Sequence, residues 1–128
     1  MLTWQPLLDS LTKLRATWPG EPWTWDGRFG AVASVFAIGS EPDARASAML
    51  AFPHGFTAKS IATASPALIA FAERTGLRAS QRLLSGDLGL FGLWWPWGSN
   101  EKITLRIGIL DCAATTEPMP HVRALFGV

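Results

Sequence analysis

The sequence predicts an α+β two-layer domain, an antiparallel meandering sheet of about five to six strands with helices over about residues 3–17 and 65–75 packed on one face. Three observations lead there. Trp4, Leu7, Leu8, Leu11, Leu14 and Trp18 recur at spacings of three and four, the period of a helix with one apolar stripe. SPALIAFAERTG, residues 65–76, carries a helix start and a helix stop. KITLRIGIL, residues 102–110, alternates with period two, setting Ile103, Leu105, Ile107 and Ile109 on one face and Lys102, Thr104 and Arg106 on the other.

Each element follows from local chemistry. Thr3 can cap the first helix, and Pro6 falls in its first turn, where a missing amide hydrogen costs little. WPGEP, residues 18–22, then stops it. In WTWDGRFGAVASVFAIG, residues 23–39, Trp23 and Trp25 share one face of an extended segment and Asp26-Gly27 is a hairpin signal, so one strand turns into a second. GSEPD reads as a turn, and ARASAMLAF, residues 44–52, as a third antiparallel strand after it. FPHGFTAKSIATA, residues 52–64, gives no periodic signal. In the second helix Ser65 is the N-cap, Pro66 is pre-set for the first turn and Gly76 suits a left-handed C-terminal cap. GLRASQRLL and LGLFGLWWPW, residues 76–84 and 88–97, read as two more strands, and PMPHVRALFGV as a short helix or an arm. No internal repeat or low-complexity linker divides the 128 residues, which are expected to form one domain.

Three of the seven tryptophans fall within residues 94–97, and the register of the last hairpin decides which are buried. A three-residue loop at Ser99–Glu101, or a five-residue loop at Gly98–Lys102, pairs Trp97 with Ile103 and Trp95 with Leu105. A two-residue or four-residue loop centred between Gly98 and Glu101 would instead place Trp97 and Trp95 opposite Lys102 and Thr104, burying lysine or exposing the isoleucine row. The first register is expected, and it leaves Trp94 on the outer face opposite Arg106, beside Leu90 and Pro96. Trp4, Trp18, Trp23 and Trp25 are expected to be core and helix-to-sheet packing.

Signals of catalysis are weak. Only His54 and His121 are available as proton shuttles near neutral pH. His54, between Pro53 and Gly55, reads first as a loop histidine and only second as a site residue. Ligand spacings such as HxxxH, HExxH and CxxC, a GxSxG elbow and a phosphate loop are absent, so no catalytic residue, metal or cofactor is expected. Cys112, the single cysteine, excludes an intrachain disulfide and reads as a buried small residue.

Hydrophobic residues make up 48% and charged residues 16% of the chain, so either the core is large or another chain covers apolar surface. Eleven Lys and Arg against 10 Asp and Glu give a net charge of +1, which argues against a nucleic-acid partner. No run reaches the ~18 apolar residues of a membrane span, and no leader pattern opens the chain, so no membrane partner and a cytoplasmic location are expected.

The first functional reading is a non-enzymatic interaction domain that meets a protein partner, or a second copy of itself as a homodimer, through a sheet face carrying Trp94, Arg106, Leu90 and Pro96. The second is a small-molecule binder or small enzyme with its pocket between helix 65–75 and the sheet, His54 at the mouth. The element order also resembles that of small secretion-chaperone domains, which place a helix before three strands and another helix before a closing hairpin. That likeness, in element order alone, implies protein binding.

Overall fold

Residues 3–128 are described by the structure, a computed structural model. The first helix, α1 (Gln5–Thr17), has Pro6 in its opening turn and buries Leu7, Leu11 and Leu14, as their spacing requires. The Thr3 hydroxyl accepts from the Gln5 amide at 3.1 Å, so the expected capping residue acts one step ahead of the helix. The chain then forms β1 (Thr24–Asp26) and β2 (Ala31–Ala37), the hairpin that Asp26-Gly27 announces, with Asp26 opposite Ala31.

Residues 44–52, expected as a strand, instead lie mostly in α2 (Glu41–Met49). The reason is legible afterwards. Three alanines at alternate positions suit a helix better than a sheet, Pro42 occupies the first turn, and Glu41 and Asp43 sit at the positive end of the helix dipole. Its buried face is Ala44, Ser47 and Ala48, a spacing of three and four. The Thr17 and Ser47 hydroxyls hydrogen-bond at 2.7 Å, tying α1 to α2.

The third strand, β3 (His54–Phe56), comes from the segment without periodicity. Ser65 caps α3 (Pro66–Thr75) by accepting from the Leu68 amide, and Gly76 closes it at φ 74°, both as expected. Of residues 76–84 only the end is extended, in β4 (Arg82–Ser85), because Arg78 to Gln81 forms a turn. β5 (Leu90–Pro96), β6 (Lys102–Ile109) and α4 (Met119–Phe126) follow. With α2 inserted after two strands, the order departs from the helix, three strands, helix and hairpin of secretion chaperones.

The domain is α+β, as predicted, with a six-stranded antiparallel sheet in the order β1-β2-β6-β5-β4-β3. Helices α1, α2 and α4 form a layer over one face, against Val32, Phe36, Leu90, Trp94 and the row Ile103, Leu105, Ile107 and Ile109. Helix α3 does not join them. Its Leu68 and Ala72 pack with Leu83, Phe91 and Leu93, which alternation places on the opposite face.

The register of β5 against β6 is also corrected. Trp94 stands opposite Leu105, Trp95 opposite Thr104 and Pro96 opposite Ile103, and the Trp97 amide donates to the Lys102 carbonyl at 2.9 Å around a four-residue loop. Neither anticipated cost arises. Lys102 remains half-buried at the mouth of the hairpin, with its ammonium 5.5 Å from the Trp97 ring and 3.7 Å from Glu21. Thr104 is buried, but its hydroxyl accepts from Trp97 Nε1 at 2.8 Å. The isoleucine row keeps its core face because both faces of the sheet centre are covered.

Candidate functional site

The connection between α2 and β3 makes a cleft. After Met49 the amides of Ala51 and Phe52 turn back onto the Ala48 carbonyl, and both side chains are driven into the core. Pro53 then redirects the chain into β3, the edge of the sheet. Between the last turn of α2 and strands β3, β4 and β5 lies a cavity of about 230 Å³. Trp94 contributes its floor, Ala48, Phe52 and Leu84 its walls, and Arg45, Met49, Pro53, His54, Gly55 and Arg82 its rim.

Trp94 is 5% exposed, and its ring lies 5.0 Å from that of Phe36 in the core. It is therefore not on an outer face shared with Arg106, as the sequence suggested. Its neighbour on β4 is Arg82, an exposed residue that makes no ion pair among the described residues. Arg45 is held by Glu41 one helical turn earlier, at 2.6 Å. No carboxylate, hydroxyl or thiol side chain lines the cleft, so its fixed charges are the two guanidinium groups.

Two of the residues singled out from sequence, Trp94 and His54, meet at this cleft. His54 is exposed and pairs with Ser85, while Gly55 pairs with Leu84. Alternation thus puts Gly55 on the Trp94 side and directs the His54 side chain to the Phe56 side, so His54 borders the cleft as an edge residue. Leu90 is buried in the core, and Pro96 is half-buried opposite Ile103.

Arg106 belongs to the other face. Its Nε donates to Asp26 Oδ2 at 2.8 Å, and its guanidinium lies 4.9 Å from the Phe29 ring and 5.2 Å from the Trp95 ring. An arginine does stack on a tryptophan here, but the partner is Trp95. Burial raises the Asp26 pKa, yet the hydrogen bond and charge of Arg106, with the amides of Phe29 and Arg28, outweigh it and hold the carboxyl below its ordinary 3.8. The pair joins β1 to β6 across β2 and has a structural role.

The sequence reading missed Arg45 and Met49, and it weighed Arg82 only as one of a basic stripe with Arg74, Arg78 and Arg106, not as a neighbour of Trp94. Arg82 had a usable signal, since a β4–β5 hairpin turned by Ser85-Gly86-Asp87 places it beside Trp94. The other two needed α2 to be recognised. The cleft against α2 lies apart from α3, where the sequence reading set its alternative pocket. A separate, broader depression of about 430 Å³ lies between residues 58–62 and α3, lined by aliphatic side chains and Glu73. Cys112 is half-buried, and its thiol donates to the Thr116 carbonyl at 3.2 Å. Among the described residues no group of three or more His, Cys, Asp or Glu could hold a metal ion, and no helix is long and apolar enough to cross a membrane. No protein-family model, curated protein or solved structure matches the chain.

Proposed function

We propose that the chain is a non-enzymatic binding module that takes a protein partner at the cleft between α2 and β3–β5. The observation that carries this reading is the size and lining of the cleft. At about 230 Å³ it is smaller than the roughly 300–1,000 Å³ of small-molecule sites, and it suits one anchoring side chain of a larger partner. Met49 on its rim is 64% exposed and Leu50 beside it 46%, so apolar surface continues outward from the cavity. Methionine is flexible and polarizable, a favoured residue where a surface must adapt to another chain.

The alternative of an enzyme has less support. General acid–base chemistry needs a proton donor or acceptor aimed at a bound substrate, and the cleft contains two arginines and an edge histidine whose side chain alternates away. A second copy of this chain would be one form of protein partner. The lone Cys112 agrees with a reducing cytoplasm as the compartment.

The test is selection of random peptides displayed on phage against the wild-type chain, followed by binding of the selected peptides to Met49→Glu. Met49 is exposed, so the variant keeps its near-ultraviolet circular dichroism. The reading expects peptides that bind wild type and lose at least about tenfold in affinity to the variant. Selected ligands indifferent to Met49→Glu would overturn it.

A further inference from the structure

We infer that the partner segment is acidic: it inserts one bulky apolar side chain over Trp94 and sets carboxylates against Arg82 and Arg45. This rests on the reading of the cleft as a protein-docking site and adds the chemistry of the occupant. Three observations carry it. The cavity is an apolar socket, with Trp94 beneath and Phe52 and Leu84 at its sides, so what enters must be apolar to be stabilised there. Its volume of about 230 Å³ fits a single large side chain. The formal charges on its lining come only from the two guanidinium groups, of which Arg45 is paired with Glu41 one turn earlier and Arg82 with no carboxylate among the described residues.

Arg82 has no ion pair among the described residues, so its five donors are free to meet a carboxylate. Arg45 is held only by the exposed helical pair with Glu41, an interaction of the weak class. A partner carboxylate can share or displace it at little cost. The chain as a whole is nearly neutral, so this is a local and not a global attraction. A basic segment would place its charges against both arginines, and like charges facing each other across an interface are a strong discriminator against the wrong partner.

The experiment measures fluorescence anisotropy of three labelled peptide series with the intact chain, each with a central Trp, Leu or Ala, flanked by Glu, Ser or Lys. Acidic peptides with Trp or Leu at the centre should bind at least about tenfold more tightly than their Lys-flanked counterparts, and the advantage should shrink as salt rises. Arg82→Glu, at an exposed position, should fold normally and reverse the order of acidic and basic peptides. If Ser- and Lys-flanked peptides bind as tightly as the acidic ones and all are lost in Met49→Glu, the docking cleft stands and its acidic preference falls. If no peptide binds and none perturbs Trp94 indole resonances in NMR spectra, the docking reading and this inference fall together. An Ala-centred acidic peptide that matches the Trp-centred one would overturn the socket while leaving simple charge attraction.

Discussion

At the residue scale Trp94 has two roles that conflict in a substitution experiment. Its indole is part of the main core against Phe36 and Leu105, and the same ring closes the cleft from below. Trp94→Ala should therefore cost about 3–5 kcal/mol, the range for truncating a large buried aromatic, as read by the urea midpoint at unchanged slope. Trp94→Glu should be worse, since it leaves an unpaired carboxylate in that core, and a folded product would mean that the ring is not buried. For this reason the rim residues Met49 and Arg82, and not Trp94, are the informative probes of binding. Asp26 offers a test in pH. Its carboxyl is held below the ordinary 3.8 when folded, so the stabilisation is present above the unfolded value and is lost as pH falls through the folded one. The denaturation midpoint should be flat from neutral pH to about pH 5 and drop below about pH 4. Asp26→Asn should be less stable at pH 7 and show a shallower acid decline; an identical decline would assign it to other carboxylates.

At the element scale the last hairpin shows how tightly β5 and β6 are matched. Phe91 stands opposite Gly108, and a Cβ at Gly108 would lie 2.6 Å from Phe91 Cζ and 3.3 Å from the Gly30 carbonyl oxygen. The Phe91 ring also lies 4.5 Å from Phe71 of α3, so it has little freedom to withdraw. Gly108→Ala should then destabilise by about 1–3 kcal/mol, the cost of overpacking, and a neutral result in a melting experiment would show that the α3 side is loosely packed. The same hairpin explains what could and could not be read in advance. Helices α1 and α3 and strand β6 were legible because each carries its own period and, for α3, its own caps at Ser65 and Gly76. The register was not, because β5 is apolar on both faces, and period two loses its power to discriminate when both faces are buried. Helix α2 was lost to a similar ambiguity: its buried face consists of Ala44, Ser47 and Ala48, too small and polar to register as a stripe. The cleft depended on both errors. Trp94 could be singled out by type and His54 by rarity, whereas Met49 and Arg45 are unremarkable until α2 is in place.

At the scale of the whole molecule one sheet separates two apolar clusters. Leu11 of α1 belongs to the larger, with α2, α4 and the isoleucine row, and Leu68 of α3 belongs to the smaller, with Leu83, Phe91 and Leu93. This double cover accounts for much of the 48% hydrophobic content, with Met49 and Leu50 beside the cleft among the large apolar side chains left exposed. It also sets how the layers should unfold. The clusters share no buried residue, but adjacent residues of β5, Phe91 and Leu93 against Leu90 and Trp94, send side chains into each of them. One strand thus belongs to both and couples the two clusters. Leu11→Ala and Leu68→Ala should each cost about 2–5 kcal/mol, with the larger loss at Leu11, which is fully buried where Leu68 retains 6% exposure. Because the two side chains lie in separate clusters, the double variant should lose the sum of the single losses to within about 0.5 kcal/mol. The circular dichroism and tryptophan emission transitions should nevertheless coincide in all three variants, since both clusters depend on the same strand. If Leu68→Ala instead produces an early transition seen by one probe alone, the α3 side opens independently, and the sheet does not bind the two clusters into one cooperative unit.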